Sequence, residues 1–358
     1  MVLGRFHILS LVLMGLWGST SVQSGTPRCL TWTRFSDFQS IPGETAGHTV
    51  LLSQDLAPGF PWNELVVSWN ASAEVVLQVE ARPTTPVGAR FYSFGWWAAN
   101  STDRSRRTSL KGQEDALGRM MTDTLVLRQP AEKVQIRLTL QGPREGLKRL
   151  SLSFTGPDTE VPASDSFERI WGTDLGVPLR SQADYPEGVD KWCSPTSTAM
   201  LMAYWGARFQ RPEWSIPVPE VADQVSDPGW GGTGNWPFNM AWVGMHPGLN
   251  AAVVRLSGMS DLEHWIASGA PAAVSIRYTL LKGKSDSSPG DGHLVVVRGF
   301  TSEGDVIVND PGVRLERVWR VYRRNDFLRA WNASRRTTYL VWPDGHPLPT
   351  RAAFPQSQ

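Results

Sequence analysis

The sequence predicts a multi-domain chain, an N-terminal all-β, sandwich-like domain over residues 27–157 followed by an α+β domain over 168–345, and three observations carry that reading. Apolar residues recur with period two through the first half. A Pro-, Ser- and acid-rich stretch, TGPDTEVPASDSF (155–167), then breaks the pattern and marks a linker at 158–167. Beyond it come helical spacing and short apolar runs, the mixture expected when helices pack on an antiparallel sheet.

In the first half, VQIRLTL (134–140) sets Val134, Ile136, Leu138 and Leu140 against Gln135, Arg137 and Thr139, and LSLSF (150–154) repeats the alternation. Strand-length runs at 64–69, 74–82, 89–94 and 123–128 lie between Pro, Gly and Asn turn residues. Short strands with turns between them, and no long helical segment, are the pattern of two packed sheets. His48 stands alone there and reads as a surface or loop residue.

In the second half a helix is signalled over 195–205, with Pro195 in its first turn and Gly206 as its stop. Another is signalled over 261–268, capped by Ser260 and ended by Gly269. Strand-like runs follow at 271–276, 293–300, 305–310 and 337–342, and residues 346–358 form a C-terminal tail.

Residues 1–24 carry one cation, Arg5, then an apolar run from Ile8 to Gly18 and a small, polar end. That order is the pattern of a secretory signal peptide, and the run is too short to span a bilayer. The expectation is a secreted protein, extracellular or periplasmic, with no transmembrane segment in its mature form. The chain has 35 Lys and Arg against 34 Asp and Glu, so removing Arg5 leaves 34 of each. A net charge near zero, with only short pairs such as Arg106–Arg107 and Arg335–Arg336, gives no basis for nucleic acid as a partner. No zinc or calcium spacing and no nucleotide-type glycine motif is present, so no metal or cofactor is expected. Acceptor sequons occur at Asn70, Asn100 and Asn332.

The chemistry centres on one of only two cysteines. Cys193 stands at the N-terminal end of the 195–205 helix, where unpaired N–H groups and the helix dipole favour an anion and lower a thiol's pKa. A nucleophilic cysteine needs a base. His264 lies inside the second helix, His246 precedes Pro247 and His346 lies in the tail, whereas His293 opens an apolar strand after the Ser285–Gly292 loop. Asp310 ends the next strand, and in an antiparallel hairpin turning at 301–304 those two ends are neighbours. Cys, His and Asp in that order are what acyl transfer through a thioester requires. Two other readings of Cys193 stay open: a disulfide with Cys29, natural in an exported protein, and a buried thiol.

The blocks SQADYPEGVDKWCSPTSTAMLMAYWG, GTGNWPFNMAWVG, GHLVVVRGF and VIVNDPG, ending in VYRRNDFLRAWNAS, resemble the secreted relatives of cysteine peptidase family 39, the bacteriocin-processing peptidases. The resemblance covers about residues 165–343. It implies a papain-like fold, Cys193 as nucleophile, His293 as general base and acid, and Asp310 as the orienting carboxylate. It also implies Gln182 as an amide donor to the oxyanion, across a gap to Cys193 longer than the family's usual spacing. The namesake enzymes are fused to an export transporter and cut leaders after paired glycines. This chain carries an export signal in place of a transporter segment, so that role does not transfer. The N-terminal half resembles the β-rich region that accompanies the secreted relatives.

The stretch DPGWGGTGNWPFNMAWVG (227–244) reads as a loop with five glycines and three tryptophans. Trp230 and Trp236 there, with Asn235 and Trp192, are the candidates for substrate contact, although the same rings could equally cap a core. The expected function is cysteine peptidase or amidase action on a peptide or other amide, the substrate being cell-wall associated in one version. The alternatives are a non-catalytic binder of peptide or cell-wall glycan and a thioester-forming acyltransferase with an amine acceptor.

Overall fold

The computed structural model describes residues 26–99, 106–157, 166–286 and 290–357. The expected leader, Asn100 and most of the expected linker (158–165) lie outside those residues.

Among the described residues the N-terminal half contributes the strands β1 (Arg28–Trp32), β2 (Gln39–Pro42), β3 (His48–Leu52), β4 (Trp62–Ala71), β5 (Val76–Thr84), β6 (Tyr92–Ala98), β7 (Gly118–Met121), β8 (Thr124–Ala131), β9 (Lys133–Gln141) and β10 (Leu147–Thr155). They form two sheets, one with β1, β10, β4, β8 and β7 side by side, the other ordered β2-β3-β9-β5-β6. The period-two pattern explains β9: Val134, Ile136, Leu138 and Leu140 are buried while Gln135, Arg137 and Thr139 are partly exposed. In β4, by contrast, every residue but Asn63 is buried. A strand buried on both faces needs a cover on the second, and the other domain supplies it.

That domain contains β11 (Thr173–Asp174), β12 (Leu249–Arg255), β13 (Ala272–Arg277), β14 (Gly292–Phe300), β15 (Val306–Asn309), β16 (Trp319–Tyr322) and β17 (Thr337–Pro343). Its helices are α1 (Cys193–Phe209), α2 (Val218–Gln224), α3 (Trp236–Met245), α4 (Met259–Ala267), α5 (Tyr278–Leu281) and α6 (Arg324–Asn332). The sheet runs β12-β17-β13-β14-β15-β16, with β11 added against β14. The architecture is therefore a strand-rich domain followed by an α+β domain. Among the described residues, no helix is long and apolar enough to cross a membrane.

Several local expectations need correction. Helix α1 begins at Cys193 and runs through Gly206 to Phe209, ending at Gln210 in the left-handed conformation. Gly206 is a point of close approach: a Cβ there would lie 2.8 Å from Arg211 O. Helix α4 is capped at Gly258, so Ser260 lies inside it. The second half of the 227–244 stretch is a helix, α3, because Asn235 Oδ1 accepts the Phe238 N–H and Pro237 occupies the first turn, where its missing donor does no harm. His48 opens β3 with its ring 6.3 Å from that of Trp96.

The two domains meet along β12, an edge strand of its sheet. An edge leaves alternate backbone groups unpaired. Here Asn70 Oδ1 accepts from Ala251 N at 3.1 Å, Ser68 Oγ from Val253 N at 3.0 Å and Ser153 Oγ from Arg255 N at 2.9 Å. Asn70 Nδ2 returns a bond to Ala251 O at 3.0 Å, and Glu64 pairs with Arg255 across the same seam. Polar side chains of β4 and β10 thus stand in for a missing strand. The sequon at Asn70 is buried in this seam with its amide engaged, so it offers no acceptor in the folded chain. The tail also belongs to the first domain: Gln356–Ser357 forms β18, which pairs in parallel with β1, and Cys29 N donates to Ala352 O at 2.8 Å.

Candidate active site

Cys193 is placed by the first turn of α1. Trp192 has the non-helical backbone of an N-cap, and its carbonyl accepts the Thr196 N–H at 2.9 Å. Residues 194–206 are all buried, and the helix is docked on β17 by Ser194 Oγ to Tyr339 Oη (2.9 Å) and by Trp205 Nε1 donating to Val341 O (2.8 Å). Cys193 is half-buried, and both cysteines are free. The disulfide reading therefore falls: Cys29 lies inside β1, its sulfur 3.7 Å from Thr31 Oγ1, and burial pushes its thiol up to about 12.

His293 is the second residue of β14, opposite Ile276 of β13, and is 7% exposed. Residues 287–289 of the loop before it lie outside the described residues. Asp310 directly follows β15, whose register sets Asn309 against Val296. That pairing carries the carboxylate back towards the start of β14, and His293 Nε2 lies 2.8 Å from Asp310 Oδ1. The remaining ring nitrogen, Nδ1, is left for the Cys193 thiol, and the thiol and the imidazole shift each other's titration.

Asp310 is wholly buried yet has four donors. Oδ1 also accepts the Gly312 N–H at 2.9 Å, while Oδ2 accepts Tyr278 Oη–H at 2.9 Å and Tyr322 Oη–H at 3.0 Å. Burial alone would raise this carboxyl, but the His293 hydrogen bond and charge, with the Gly312 and Tyr278 donors, hold it down to about 2. Burial would likewise lower His293, but the Asp310 and Cys193 partners raise it to about 9. Burial pushes the Cys193 thiol up, and the His293 hydrogen bond and charge, with the Leu294 and Ser194 backbone N–H groups, outweigh that and leave it lowered. A lowered thiol beside a raised imidazole is the direction of shift that favours a thiolate–imidazolium pair.

Tyr278, Tyr322 and Gly312 had no signal in the sequence as parts of this site. The two tyrosines come from α5 and β16. The Tyr278 ring also lies 4.5 Å from the His293 ring. Gly312 is required by proximity: a Cβ would sit 2.9 Å from His293 Cε1 and 3.3 Å from Asp310 Oδ1.

The Peptidase_C39 like family model matches residues 174–339, and the model of the Peptidase C39 N-terminal domain matches residues 32–154. The chain is a relative of the C39 peptidase family. Among solved structures, a Bacillus anthracis protein described as a candidate C39-like peptidase is 17% identical, with 47% of this chain and 95% of that one covered at a TM-score of 0.36. No curated protein matches the chain.

The other expected site residues of this C39 relative fall into two groups. Trp192 borders a cleft of about 450 Å³, lined on one side by Glu187, Lys191 and Trp192 and on the other by residues of the 226–233 segment. Trp230, within that segment but outside the cleft lining, is 49% exposed, its ring laid over Gly232 and Gly234. Trp236 is half-buried at the start of α3. Asn235, by contrast, is fully buried; its Oδ1 caps α3 and its Nδ2 donates to Asp227 Oδ2 at 2.8 Å, so it has no surface for a substrate. Gln182 is buried beside the Asp310 turn, its N–H donating to Pro311 O at 2.9 Å. Its Nε2 donates to Val189 O at 2.5 Å, Oε1 has no partner among the described residues, and no hydrogen bond joins its side chain to Cys193.

Proposed function

We propose that this C39 relative is a secreted cysteine peptidase or amidase, a papain-like catalytic domain joined to a β-sandwich, that cleaves a peptide or amide bond through a thioester on Cys193. The observation that carries the reading is the series Cys193, His293, Asp310, in which one imidazole lies 2.8 Å from a buried carboxylate and holds the Cys193 thiol lowered. The export signal read in residues 1–24 supports the location.

In the proposed cycle the Cys193 sulfur attacks the scissile carbonyl carbon. The oxyanion is met by the Cys193 backbone N–H and by the second N–H of the Gln182 amide, the first being held by Val189 O. His293 Nδ1–H protonates the leaving amine as the C–N bond breaks, leaving a thioester and a neutral imidazole. Water then loses its proton to Nδ1 and attacks the thioester, releasing the acid and restoring the ion pair. Asp310 stays ionised throughout, since its four donors keep it far below neutral pH. Trp192 and Trp230 beside the cleft are the surfaces offered to the chain being cut, with Trp236 behind them.

The test is turnover of a mixed peptide library with and without hydroxylamine, read by mass. Free acids without the amine, hydroxamates with it, and neither from Cys193→Ala are the expected results. Cleavage by the wild type that Cys193→Ala retains would remove the thioester route. Binding of library peptides by both proteins, with no product from either, would leave a binder on the same fold. Preference for amine acceptors over water would make it an acyltransferase.

A further inference from the structure

We propose that the N-terminal domain is a working part of the cleft: it holds the 226–236 wall in place and so governs how a peptide is received, without touching the Cys193–His293 pair. This rests on the peptide-cleaving reading above.

The wall needs holding. Four of its eleven residues are glycine, the residue with the most conformational freedom to lose. Beside the bonds it makes with Lys191 and Asn239 in its own domain, it has anchors in the other domain. Arg107, only 2% exposed, donates from Nη2 to Asp223 O at 3.0 Å and from Nε to Ser226 O at 3.2 Å, fixing the entry to the wall. Ser109 N–H donates to Asp227 Oδ1 at 2.9 Å. The same fully buried carboxylate accepts Trp230 N–H at 3.3 Å and Asn235 Nδ2–H at 2.8 Å, so one side chain links the first domain to both arms of the wall. Gly229 lies so close that a Cβ would come within 2.0 Å of Ser109 O. At the far end, Asp123, in the turn between β7 and β8, accepts the Trp236 N–H on Oδ2 at 3.0 Å.

These contacts stop at the wall. Arg107, Ser109 and Asp123 do not line the 450 Å³ cleft, whereas Ser226, Asp227 and Thr233 do. No hydrogen bond joins the three to Cys193, His293 or Asp310 among the described residues. They are positioning residues, and their loss should separate two reactions of one sulfur: attack on a small reagent, which needs only the ion pair, and attack on a peptidyl reagent, which also needs the wall.

The experiment compares alkylation of Cys193 by iodoacetamide and by benzyloxycarbonyl-Phe-Ala chloromethyl ketone in the full chain, for the wild type, Asp123→Ala, Asp123→Asn and Arg107→Ala. Burial pushes Asp123 up to about 7, so a neutral Asn that keeps the acceptor oxygen is a close stand-in. Expected are iodoacetamide rates within about twofold of wild type, peptidyl rates reduced about tenfold in both Ala variants, and recovery to within about threefold in Asp123→Asn. Amide hydrogen exchange should quicken across 226–236 in the Ala variants and stay unchanged across α1. Equal slowing of both reagents would make these residues props for the whole site, and an unchanged peptidyl rate with quickened exchange would make the wall irrelevant to recognition. Either result overturns the proposal. A wild type that takes the peptidyl reagent no faster than iodoacetamide sinks the peptide-cleft reading itself, and this one with it.

Discussion

Tyr322 Oη lies 3.0 Å from Asp310 Oδ2, on the carboxylate oxygen opposite the one that holds His293. The carboxylate is thereby fixed from both sides, Tyr278 and Tyr322 on one oxygen, Gly312 N–H and the imidazole on the other. A buried carboxylate with three further lone-pair sites filled has little freedom to swing away from the ring it orients.

Removing that phenol should be felt through the charge it serves. Tyr322→Phe is expected to lower unfolding stability by about 1.5–3 kcal/mol, the size of a lost hydrogen bond to an ionised group. In an Asp310→Asn background the same change should have a smaller effect, under about 0.5 kcal/mol, because the ion is gone. Thermal unfolding of the four proteins in this cycle measures the difference; strict additivity would mean the phenol supports the fold and not the carboxylate.

The proposed ion pair sets a window in pH. The folded thiol is lowered, so thiolate is present above that value and lost as pH falls through it; His293 is raised to about 9, so its proton persists until pH rises through about 9. Iodoacetamide should therefore label Cys193 rapidly at pH 7. His293→Ala leaves burial opposed only by the Leu294 and Ser194 backbone N–H groups, lets the thiol rise, and should slow labelling at pH 7 by about tenfold or more. Cys29, buried and pushed up to about 12, is the internal control and should stay unlabelled throughout. Peptide mass after timed quenching reads both sites; equal labelling of the two cysteines would contradict the assignment.

Gly312→Ala places a methyl group where His293 Cε1 and Asp310 Oδ1 now approach. The backbone itself is not in the left-handed region, so the expected damage is to the imidazole's position. Cys193 labelling should fall by about tenfold while the melting temperature moves little. A large drop in melting temperature with normal labelling would place the strain elsewhere.

At the domain seam, Asn70→Ala strips partners from both backbone groups of Ala251. Two buried polar groups left unsatisfied should cost about 2–4 kcal/mol. Urea unfolding followed by tryptophan fluorescence should also show one transition for the whole chain, since β12's outward N–H groups are completed by the other domain. Two separated transitions would show the seam to be dispensable.

How much of this could be read from the residues depends on where each signal lies. The alternation in 134–140 announces β9 because one face of that strand is wetter than the other. β4 gives no such alternation, since α3 and β12 bury its second face, and only tertiary structure supplies them. Helix α3 hid behind Pro237 and Gly244, which look like breakers until Asn235 is seen to cap the first turn. The meeting of His293 with Asp310 was legible because a hairpin brings a strand's start beside the next strand's end. Tyr278 and Tyr322 were not, for they converge on Asp310 from separate elements with no spacing rule to connect them. The tryptophan stretch was read for its rings, whereas its buried acid, Asp227, organises it.

The pairing of β18 with β1 imposes an order of events on biosynthesis. Thr33 and Ser357, bonded to each other, are 324 positions apart in the chain. During vectorial synthesis β1 emerges well before β18, and one edge of its sheet stays open until residues 356–357 have followed. An open edge is a template for foreign strands. Chains lacking Gln356–Ser357 should therefore expose that edge of the first sheet and aggregate more readily than chains that keep the pairing.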